Sequence, residues 1–381
     1  MQKDHEERLQ STLELTQQLI RIPSFNPPGN EDAIAAFARQ WLADRGVSAS
    51  FVPLEPGRSS VVARIPGSTT GSIVLCAHLD TVTAEHASWD RPPLEPIVEE
   101  GLLWGLGAAD MTSAVAVLMQ TVTQLAQEDR PPTEDIVLVL TADEEWGYRG
   151  AKSVAESGLI DDAELLIIAE PTSNEVYVGQ KGELWIAATF TGQEAHGSMP
   201  ETGANAILPA ARFCAQLQEE MAQWPEIPGR GRTSMNIGRF DGGRQVNIVP
   251  GQAQVQLDFR VVSQEHHAAA IQTVAQIGQR EAAAAGCTFA LDVMTYHPPI
   301  VTGSPHAWTP RLIAASQEAT GRPQPLGLSP YSTDAVAITP ILDIPVLICG
   351  PGSIEQAHQP NEFIELSQIA QSLELFAALV A

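Results

Sequence analysis

The sequence predicts an α/β protein: a mixed, largely parallel sheet flanked by helices, with an inserted ferredoxin-like α+β domain. Near-continuous apolar runs such as DIVLVLT and AELLII are typical of strands that are covered on both faces. Segments with helical apolar spacing alternate with these runs, which is the order expected for a parallel or mixed sheet. In the middle of the chain the order changes to β-α-β-β-α-β, the ferredoxin-like pattern.

The length of the chain and this change of texture predict two domains. With 381 residues, the chain is too long for one ordinary domain, and its 44% of hydrophobic residues can supply two cores. We predict a larger, discontinuous domain at residues 1–177 and 298–381, and a smaller domain at residues 178–297. The smaller domain would be inserted at an exposed loop of the larger one, where insertions are tolerated.

Apolar periodicity places the individual elements. In the larger domain, helices are predicted at 6–20, 31–44, 110–127, 310–319 and 366–380, and strands at 59–65, 71–77, 135–145, 163–172 and 345–350. In the inserted domain, strands are predicted at 183–192, 233–240, 253–262 and 287–296, and helices at 204–224 and 264–285. Ligand sites in such α/β sheets gather beyond the carboxyl ends of the strands.

The charge of the chain excludes some classes of partner. A formal net charge of −25 repels nucleic acid and anionic membrane surfaces. The N-terminal stretch is polar, and no apolar run approaches the roughly 20 residues of a membrane helix. The four cysteines are scattered without a C-x-x-C pair, so we expect reduced thiols in a soluble, cytoplasmic protein.

The stretch IVLCAHLDTV ends a buried strand in a histidine and an aspartate. Side chains two positions apart on a strand point the same way, so His78 and Asp80 can reach one spot. A metal-bound histidine usually donates its second N–H to a carboxylate, which would be the role of Asp80. In isolation, such a pair is more often a hydrogen-bonded histidine beside an aspartate in a turn. Other residues must therefore show whether it belongs to a metal site.

Further side chains of the kinds that bind metal ions in proteins follow the other strands of the larger domain or begin a helix. They are Asp110, Glu144, Glu145, Glu170 and His358. Each alone has an ordinary explanation, such as a helix N-cap or a solvated acidic pair. Together at one sheet edge, they would repel one another unless cations lay between them. Imidazole and carboxylate ligands suit zinc, cobalt or manganese, and their number suits two metals that share a carboxylate.

Six motifs carry a resemblance to a known family. They are CAHLDTV, WGLGAADM, TADEEWGYRGA, AEPTSNEV, GQEAHGSMPETGANAI and GPGSIEQAHQPNEFI. They resemble, in order, the motifs of the co-catalytic zinc amidohydrolases and peptidases. This family includes acetylornithine deacetylase, succinyl-diaminopimelate desuccinylase, aminoacylase and the glutamate carboxypeptidases. The last motif and the GLG before Asp110 look most like acetylornithine deacetylases.

The resemblance implies a zinc-peptidase-like catalytic domain with two divalent metal ions, zinc first, with cobalt or manganese as alternatives. The metal ligands it implies are His78 and Glu170 for one ion, Glu145 and His358 for the other, and Asp110 for both. The resemblance further implies that Asp80 orients His78. Glu144 would take the proton of the attacking water and pass it to the leaving nitrogen.

The resemblance assigns roles to the inserted domain as well. This domain would be a lid through which a homodimer forms, and His196 would reach across the dimer to stabilise the oxyanion. Arg260 would clamp a substrate carboxylate, with Asn247 nearby, and the peptide bond after Asp110 would be cis. The ordinary alternatives are a loop histidine, an arginine on a polar strand face and a turn asparagine.

Two departures from the family pattern concern the substrate. Thr112 and Ser113 follow Met111 where the family usually has lysine and glycine, which removes a cation near the site. The segment at 327–338 matches no single subfamily and would line the pocket for the acyl group or side chain.

The sequence therefore predicts a dinuclear-metal hydrolase of amide bonds that acts on an N-acylated amino acid. The predicted activity is a deacylation like that of acetylornithine deacetylase or succinyl-diaminopimelate desuccinylase. Alternatives that would use the same site are a dipeptidase, a carboxypeptidase and a deformylase of a formylated aminopyrimidine. A metal-free binding protein, or a structural protein that uses the ferredoxin-like domain, would leave the intact set of ligands without a cause.

Overall fold

The computed structural model describes residues 2–84, 88–302, 307–324 and 326–380. The helices are α1 Gln2–Ile20, α2 Asp32–Ala43, α3 Ser113–Ala126, α4 Arg149–Glu156, α5 Ile207–Gln223, α6 Gln264–Ala284, α7 Trp308–Thr320, α8 Ala335–Leu342 and α9 Leu366–Val380. The strands are β1 Ala49–Glu55, β2 Arg58–Ile65, β3 Ser72–His78, β4 Ile97–Glu99, β5 Leu102–Trp104, β6 Asp135–Thr141, β7 Ala163–Ile168, β8 Gly179–Gln180, β9 Gly182–Thr191, β10 Ser234–Gly242, β11 Gln252–Val261, β12 Thr288–His297, β13 Ile300–Val301, β14 Val346–Ile348 and β15 Phe363–Glu365. In this part of the chain, no helix combines the length and the apolar character that crossing a membrane requires.

The chain folds into two compact units. The first comprises residues 1–179, 301–326 and 333–381, and the second comprises residues 180–300 and 327–332. The larger domain predicted from the sequence included 327–332, which the structure places in the second unit. There the backbone N–H of Lys181 donates to the carbonyl of Ser329 at 2.9 Å, which ties this segment to the start of the second unit.

The first unit is built on a six-stranded sheet in the order β1-β2-β6-β3-β7-β14. β3 pairs in parallel with β6 and β7, and β7 pairs in parallel with β14, whereas β1, β2 and β6 pair antiparallel. This confirms the predicted mixed, largely parallel sheet flanked by helices. Since β6, β3, β7 and β14 run in one direction, their carboxyl ends lie at the same edge of the sheet.

The apolar runs explain why these strands lie at the centre. Every residue of β3 is buried, and so is every residue of β6 after Asp135. Strands of this kind are covered on both faces, and α1, α3 and α9 contribute to the same apolar core. In α3 the buried positions run almost all round the helix, which fits its content of small and aliphatic residues.

The second unit contains a four-stranded antiparallel sheet in the order β10-β11-β9-β12, with α5 and α6 packed on it. Burial alternates strictly along β11, where every second residue from Ala253 to Val261 is buried. One face of this sheet therefore belongs to the core, as period-2 patterning predicts. The element order of this unit, β9-α5-β10-β11-α6-β12, is the predicted ferredoxin-like order.

The structure differs from the sequence expectations at short elements and strand ends. The strands predicted at 135–145 and 163–172 end at Thr141 and Ile168. After Thr141 the chain turns, because Asp143 has a left-handed backbone conformation with φ 68°. This conformation is incompatible with an extended strand. The helices α4 and α8, the strand β1 and the small sheet β15-β5-β4 were not predicted. The two helices and the strands of the small sheet are short, and β1 buries one of its seven residues, so its sequence lacks a clear apolar period.

Phe213 provides a test of the core of the second unit. Its buried ring packs against those of Phe190 and Phe289, with centroids 5.5 and 6.1 Å away. Phe213→Ala should lower the free energy of unfolding by about 3–5 kcal/mol, because truncating a buried aromatic side chain leaves a cavity. Phe240→Ala on the edge strand β10 is the matched control and should cost about 1 kcal/mol at most. Urea denaturation followed by circular dichroism measures both losses, and equal losses would contradict this packing.

Candidate active site and metal centre

Strand ends of the first unit bring a first group of metal-type ligands together. His78 is the last residue of β3, Glu170 follows the adjacent strand β7, and Asp110 precedes α3. One ligand atom of each lies within 4.8 Å of the others, and all three residues are buried. His78 Nε2 is 3.1 Å from Asp110 Oδ1. The parallel pairing of β3 with β7 places the histidine and the glutamate at one edge.

A second group consists of Asp110, Glu145 and His358, again with ligand atoms within 4.8 Å of one another. His358 Nε2 lies 2.9 Å from Glu145 Oε2 and 3.4 Å from Asp110 Oδ2. Glu145 follows β6, and His358 follows β14. All five residues predicted as metal ligands therefore meet at the carboxyl edge of the sheet.

The two groups share Asp110, whose two carboxylate oxygens face different histidines. Oδ1 faces His78, and Oδ2 faces His358. Although burial opposes the charge, hydrogen bonds with His358 and His78 lower the pKa of the Asp110 carboxyl. An ionised carboxylate with one oxygen toward each group has the geometry to bridge two cations.

Unpartnered oxygens show that cations fit this centre. Glu145 Oε1 and Glu170 Oε1 are buried and have no hydrogen-bond partner. Burial, with Asp110 nearby, raises the pKa of Glu170 well above its usual range. Burying carboxylates in this way is costly, and divalent cations would offset that cost by taking the free oxygens as ligands. The donors, imidazole and carboxylate, suit zinc, cobalt or manganese.

The orientation of His78 comes from the backbone of Asp80. His78 Nδ1 lies 2.8 Å from the main-chain carbonyl of Asp80 and 3.9 Å from its carboxylate Oδ1. Because a carbonyl only accepts, Nδ1 carries a proton, so Nε2 is the ring nitrogen that faces Asp110 and would bind a metal ion. The sequence led us to expect the side chain of Asp80 in this role, and the structure gives it to the main chain.

The Asp80 carboxylate instead fixes the turn that carries Glu144. Its oxygens accept the backbone N–H groups of Glu144 and Glu145, each at 3.1 Å, and an N–H of the Asn26 side chain at 2.8 Å. The Glu144 side chain is buried and belongs to neither ligand group. Burial, with further contributions from Glu170 and Asp334, raises the pKa of Glu144 well above its usual range. A carboxylate with a raised pKa is suited to accept a proton from water.

A buried ionic network behind this turn was not predicted from the sequence. Arg58 donates to both oxygens of Glu31, at 2.7 and 2.5 Å, and lies 2.7 Å from Asp143. Asp143 also accepts from Asn26 at 3.1 Å and from Arg149 at 2.6 Å. Glu31, Arg58 and Asp143 are far apart in the sequence, and no local pattern marks any of them. The network anchors the residue that immediately precedes Glu144.

Two more buried carboxylates adjoin the centre and were also missed. Glu362 accepts the backbone N–H groups of Gly107 and Ala109, both at 2.8 Å. Asp334 accepts the hydroxyl of Thr141 at 2.5 Å, and burial raises its pKa to about 6. Glu362 lies within the motif GPGSIEQAHQPNEFI, and Asp334 lies in the segment that matched no subfamily. Asp334 is the one acidic residue of its segment, a signal that could have identified it, whereas no local pattern marks Glu362.

Thr112 and Ser113, the residues that depart from the family pattern, complete the turn that carries Asp110. The Ser113 hydroxyl donates to the carbonyl of Ala108 at 2.6 Å, and the Thr112 N–H donates to the carbonyl of Gly107 at 2.8 Å. The peptide bond after Asp110 is cis, as expected. The turn thus forms without the usual lysine and glycine.

His196 and Asn247 lie in the second unit, on two loops that contact each other. His196 pairs with Ile248 in an isolated antiparallel bridge, and the N–H of Gly197 donates to the carbonyl of Asn247 at 2.8 Å. His196 Nδ1 lies 2.7 Å from the hydroxyl of Ser198. The two residues predicted for the oxyanion and the substrate are thus neighbours within this unit.

Arg260, on β11 of the second unit, is held by two carboxylates. One terminal nitrogen donates to Glu183 at 2.6 Å, and the other donates to Asp258 at 3.1 Å. Each terminal nitrogen of a guanidinium carries two N–H groups, so one N–H on each is left after these bonds. The side chain is fixed in place and retains donors for another carboxylate.

Sequence comparisons connect this geometry to a known family. The profile of "Peptidase family M20/M25/M40" matches residues 74–381. The chain is 30% identical to an acetylornithine deacetylase of Proteus mirabilis, over 98% of this chain and 97% of that protein. It is 25% identical to a probable succinyl-diaminopimelate desuccinylase of Staphylococcus epidermidis, over 96% of each.

Solved structures with the same fold agree with this assignment. The aminopeptidase PepT of Bacillus cereus superposes with a TM-score of 0.79 at 22% identity, over 98% of both chains. The Bacillus subtilis protein YXEP, described as a dinuclear metal binding peptidase from the M20 family, superposes with a TM-score of 0.74 at 16% identity, also over 98% of both. At these low identities the solved structures establish the fold, whereas the profile match establishes the family. The chain belongs to the peptidase family M20/M25/M40 and is a metal-dependent hydrolase of amide bonds.

Proposed function

We propose that this protein removes the acyl group of an N-acylated amino acid by hydrolysing its amide bond. The proposal is carried by the two ligand groups that share Asp110, with the buried Glu144 beside them. The similarity over nearly the whole chain to proteins named acetylornithine deacetylase and succinyl-diaminopimelate desuccinylase supports this substrate class.

The five side chains of the centre are proposed as the ligands of two metal ions. His78 and Glu170 would hold one ion, Glu145 and His358 the other, and Asp110 both. Two divalent cations held there, zinc in preference to cobalt or manganese, would polarise the amide carbonyl and lower the pKa of water. The unpartnered oxygens of Glu145 and Glu170 support this assignment.

Glu144 is the proposed general base and, later, the general acid. It would accept a proton as the water oxygen bonds to the amide carbon, and donate that proton to the nitrogen as the C–N bond breaks. The products are a free amine and a carboxylic acid. Its buried side chain and its pKa, which burial raises well above the usual range, support both halves of this role.

The second unit is proposed to complete the site in a homodimer. His196 of one subunit would stabilise the oxyanion that forms in the other, an interaction of a kind worth about 2.7–4 kcal/mol where such a donor has been deleted. Arg260, with Asn247, would bind the α-carboxylate of the substrate. The two N–H groups that Arg260 has left after its bonds to Glu183 and Asp258 support this role.

A reducing, cytoplasmic location is proposed from the thiols. Cys76, Cys214, Cys287 and Cys349 are all free, and three of them are buried. Proteins exposed to oxidising compartments more often pair their cysteines.

The substrate class is tested by amide hydrolysis with purified protein and added zinc or cobalt. The panel holds N-acetylornithine, N-succinyl-diaminopimelate, other N-acetyl and N-formyl amino acids, dipeptides and a formylaminopyrimidine. We expect turnover of an N-acyl amino acid, its loss in chelator and its return when metal is added back. Turnover of dipeptides or formamides alone would replace the proposed substrate class, and turnover that chelators leave unchanged would contradict the metal mechanism.

Glu144→Gln tests the general base. The substitution should lower kcat by about 10²–10⁴-fold, because proton transfer by the carboxylate is lost while its size is kept. Metal content should stay at the wild-type level, since Glu144 belongs to neither ligand group. Glu156→Gln, at the exposed end of α4, is the matched control and should leave kcat unchanged. Wild-type kcat in Glu144→Gln would assign the base to another residue.

Mixing two inactive variants tests whether His196 acts across a dimer. In a mixed dimer of His196→Ala with Glu144→Ala, one site would contain both Glu144 and the partner's His196. An equal mixture, dissociated and reassociated, should therefore recover about a quarter of wild-type activity if subunits pair at random. Size-exclusion chromatography checks that the mixture is dimeric. Dimers that recover no activity would rule out the role of His196 across the subunits.

A further inference from the structure

We propose that Glu362 is a positioning residue of the metal centre. Its buried carboxylate would hold the loop that carries Asp110 in register with the loop that carries His358. The inference rests on the proposed two-metal site, and it assigns a role to a side chain that is itself no ligand.

Glu362 accepts an unusual number of backbone donors from one loop. Its Oε2 accepts the N–H of Gly107 at 2.8 Å, and its Oε1 accepts those of Ala109 at 2.8 Å and Asp110 at 3.0 Å. Its main-chain carbonyl accepts the N–H of Gly105 at 3.0 Å. One residue, only 1% exposed, thereby accepts four of the six N–H groups from Gly105 to the bridging ligand Asp110.

The loop needs such an external partner because it is not a regular helix. Gly107 has a left-handed backbone with φ 77°, and Asp110 and Met111 have non-helical torsion angles. The N–H groups of Gly107, Ala109 and Asp110 find their acceptors on Glu362 rather than within the loop, and buried donors without acceptors are costly. One of the three N–H groups that the Glu362 carboxylate accepts belongs to the bridging ligand, Asp110. Glu362 therefore acts directly on the backbone position of Asp110.

The other side of Glu362 is tied to the loop that carries His358. Immediately after it, β15 pairs antiparallel with β5, with Phe363 opposite Trp104. Immediately before it, Asn361 exchanges two hydrogen bonds with Asp90, at 2.8 and 2.9 Å. His358, four residues earlier, has a left-handed backbone with φ 60°, which a non-glycine residue keeps only when its surroundings hold it.

This arrangement predicts an unequal effect on the two ions. Asp110 and His358 belong to the same ligand group; Glu362 accepts the N–H of Asp110 and lies four residues after His358 in the chain. His78 and Glu170 follow strands of the central sheet and have no contact with Glu362 among the hydrogen bonds of the described residues. The ion of the second group would lose two positioned ligands when the anchor is removed, whereas the other ion would lose one.

Glu362→Gln is the appropriate variant, because the amide keeps the size of the side chain but replaces one acceptor oxygen with a donor group. Glu365→Gln is the matched control, since Glu365 is exposed on β15, the strand that follows Glu362. Zinc binding to full-length, metal-free protein is measured by competition with a chromophoric chelator. We expect the wild type and the control to bind two zinc ions. In Glu362→Gln, the ion of the second group (Asp110, Glu145 and His358) should bind about 10–100-fold more weakly. The ion of the first group should be affected less, and saturating zinc should restore much of the activity.

Wild-type affinity for both ions in Glu362→Gln, or an equal or larger loss at the first ion, would overturn the inference. A wild-type protein that binds no zinc, cobalt or manganese would instead refute the proposed metal site. This result is distinct from the two outcomes in Glu362→Gln that would overturn only the inference. Hydrogen exchange of the wild type gives a test that does not depend on how the variant folds. The amides of Gly107, Ala109 and Asp110 should exchange slowly in the metal-free protein, and fast exchange there would overturn the role of Glu362 as an anchor.

Discussion

Repulsion between buried carboxylates is the constraint on which the first unit depends. Asp110, Glu144, Glu145 and Glu170 gather at one edge of the sheet, where water is largely excluded. Two unit charges 4 Å apart interact by about 4 kcal/mol at the effective dielectric constant near a protein surface. The centre therefore opposes folding, and the apolar strands and helices beneath it supply the stability that holds it together. Cations that bind only the folded chain would return part of that free energy.

The polar groups around the centre fall into two kinds, and the difference between them indicates where ligands belong. Those behind the ligands have their hydrogen bonds made within the protein: Asp80 by backbone N–H groups and Asn26, and Asp143 by Arg58 and Arg149. Two of the ligands, Glu145 and Glu170, each keep one buried, unpartnered oxygen. A satisfied outer layer fixes geometry, because each carboxylate is held from several directions, whereas the unsatisfied inner atoms remain free to bind a cation. The residues that fix the geometry of the centre are thus different from those that would bind the cations.

The convergence of the inner residues could be predicted from the sequence, whereas the contacts of the outer residues could not. His78, Glu145 and Glu170 follow apolar runs that can only be buried strands, so their convergence follows from the parallel direction of those strands. Arg58 and Glu362 give no such signal, because their partners lie far away in the chain and the contacts depend on tertiary packing. The same limit explains the short elements that were missed, such as β15, whose pairing with β5 no local period encodes.

The turn that carries Asp110 shows which features of a site sequence can vary. Thr112 and Ser113 replace a lysine and a glycine of the family pattern, yet the turn closes through Ser113 and Ala108 and through Thr112 and Gly107. What this turn requires is hydrogen-bond donors at fixed places and a carboxylate to accept its own N–H groups, and no charge at position 112 contributes to either. The family residues at 112 and 113 are therefore separable from the metal geometry.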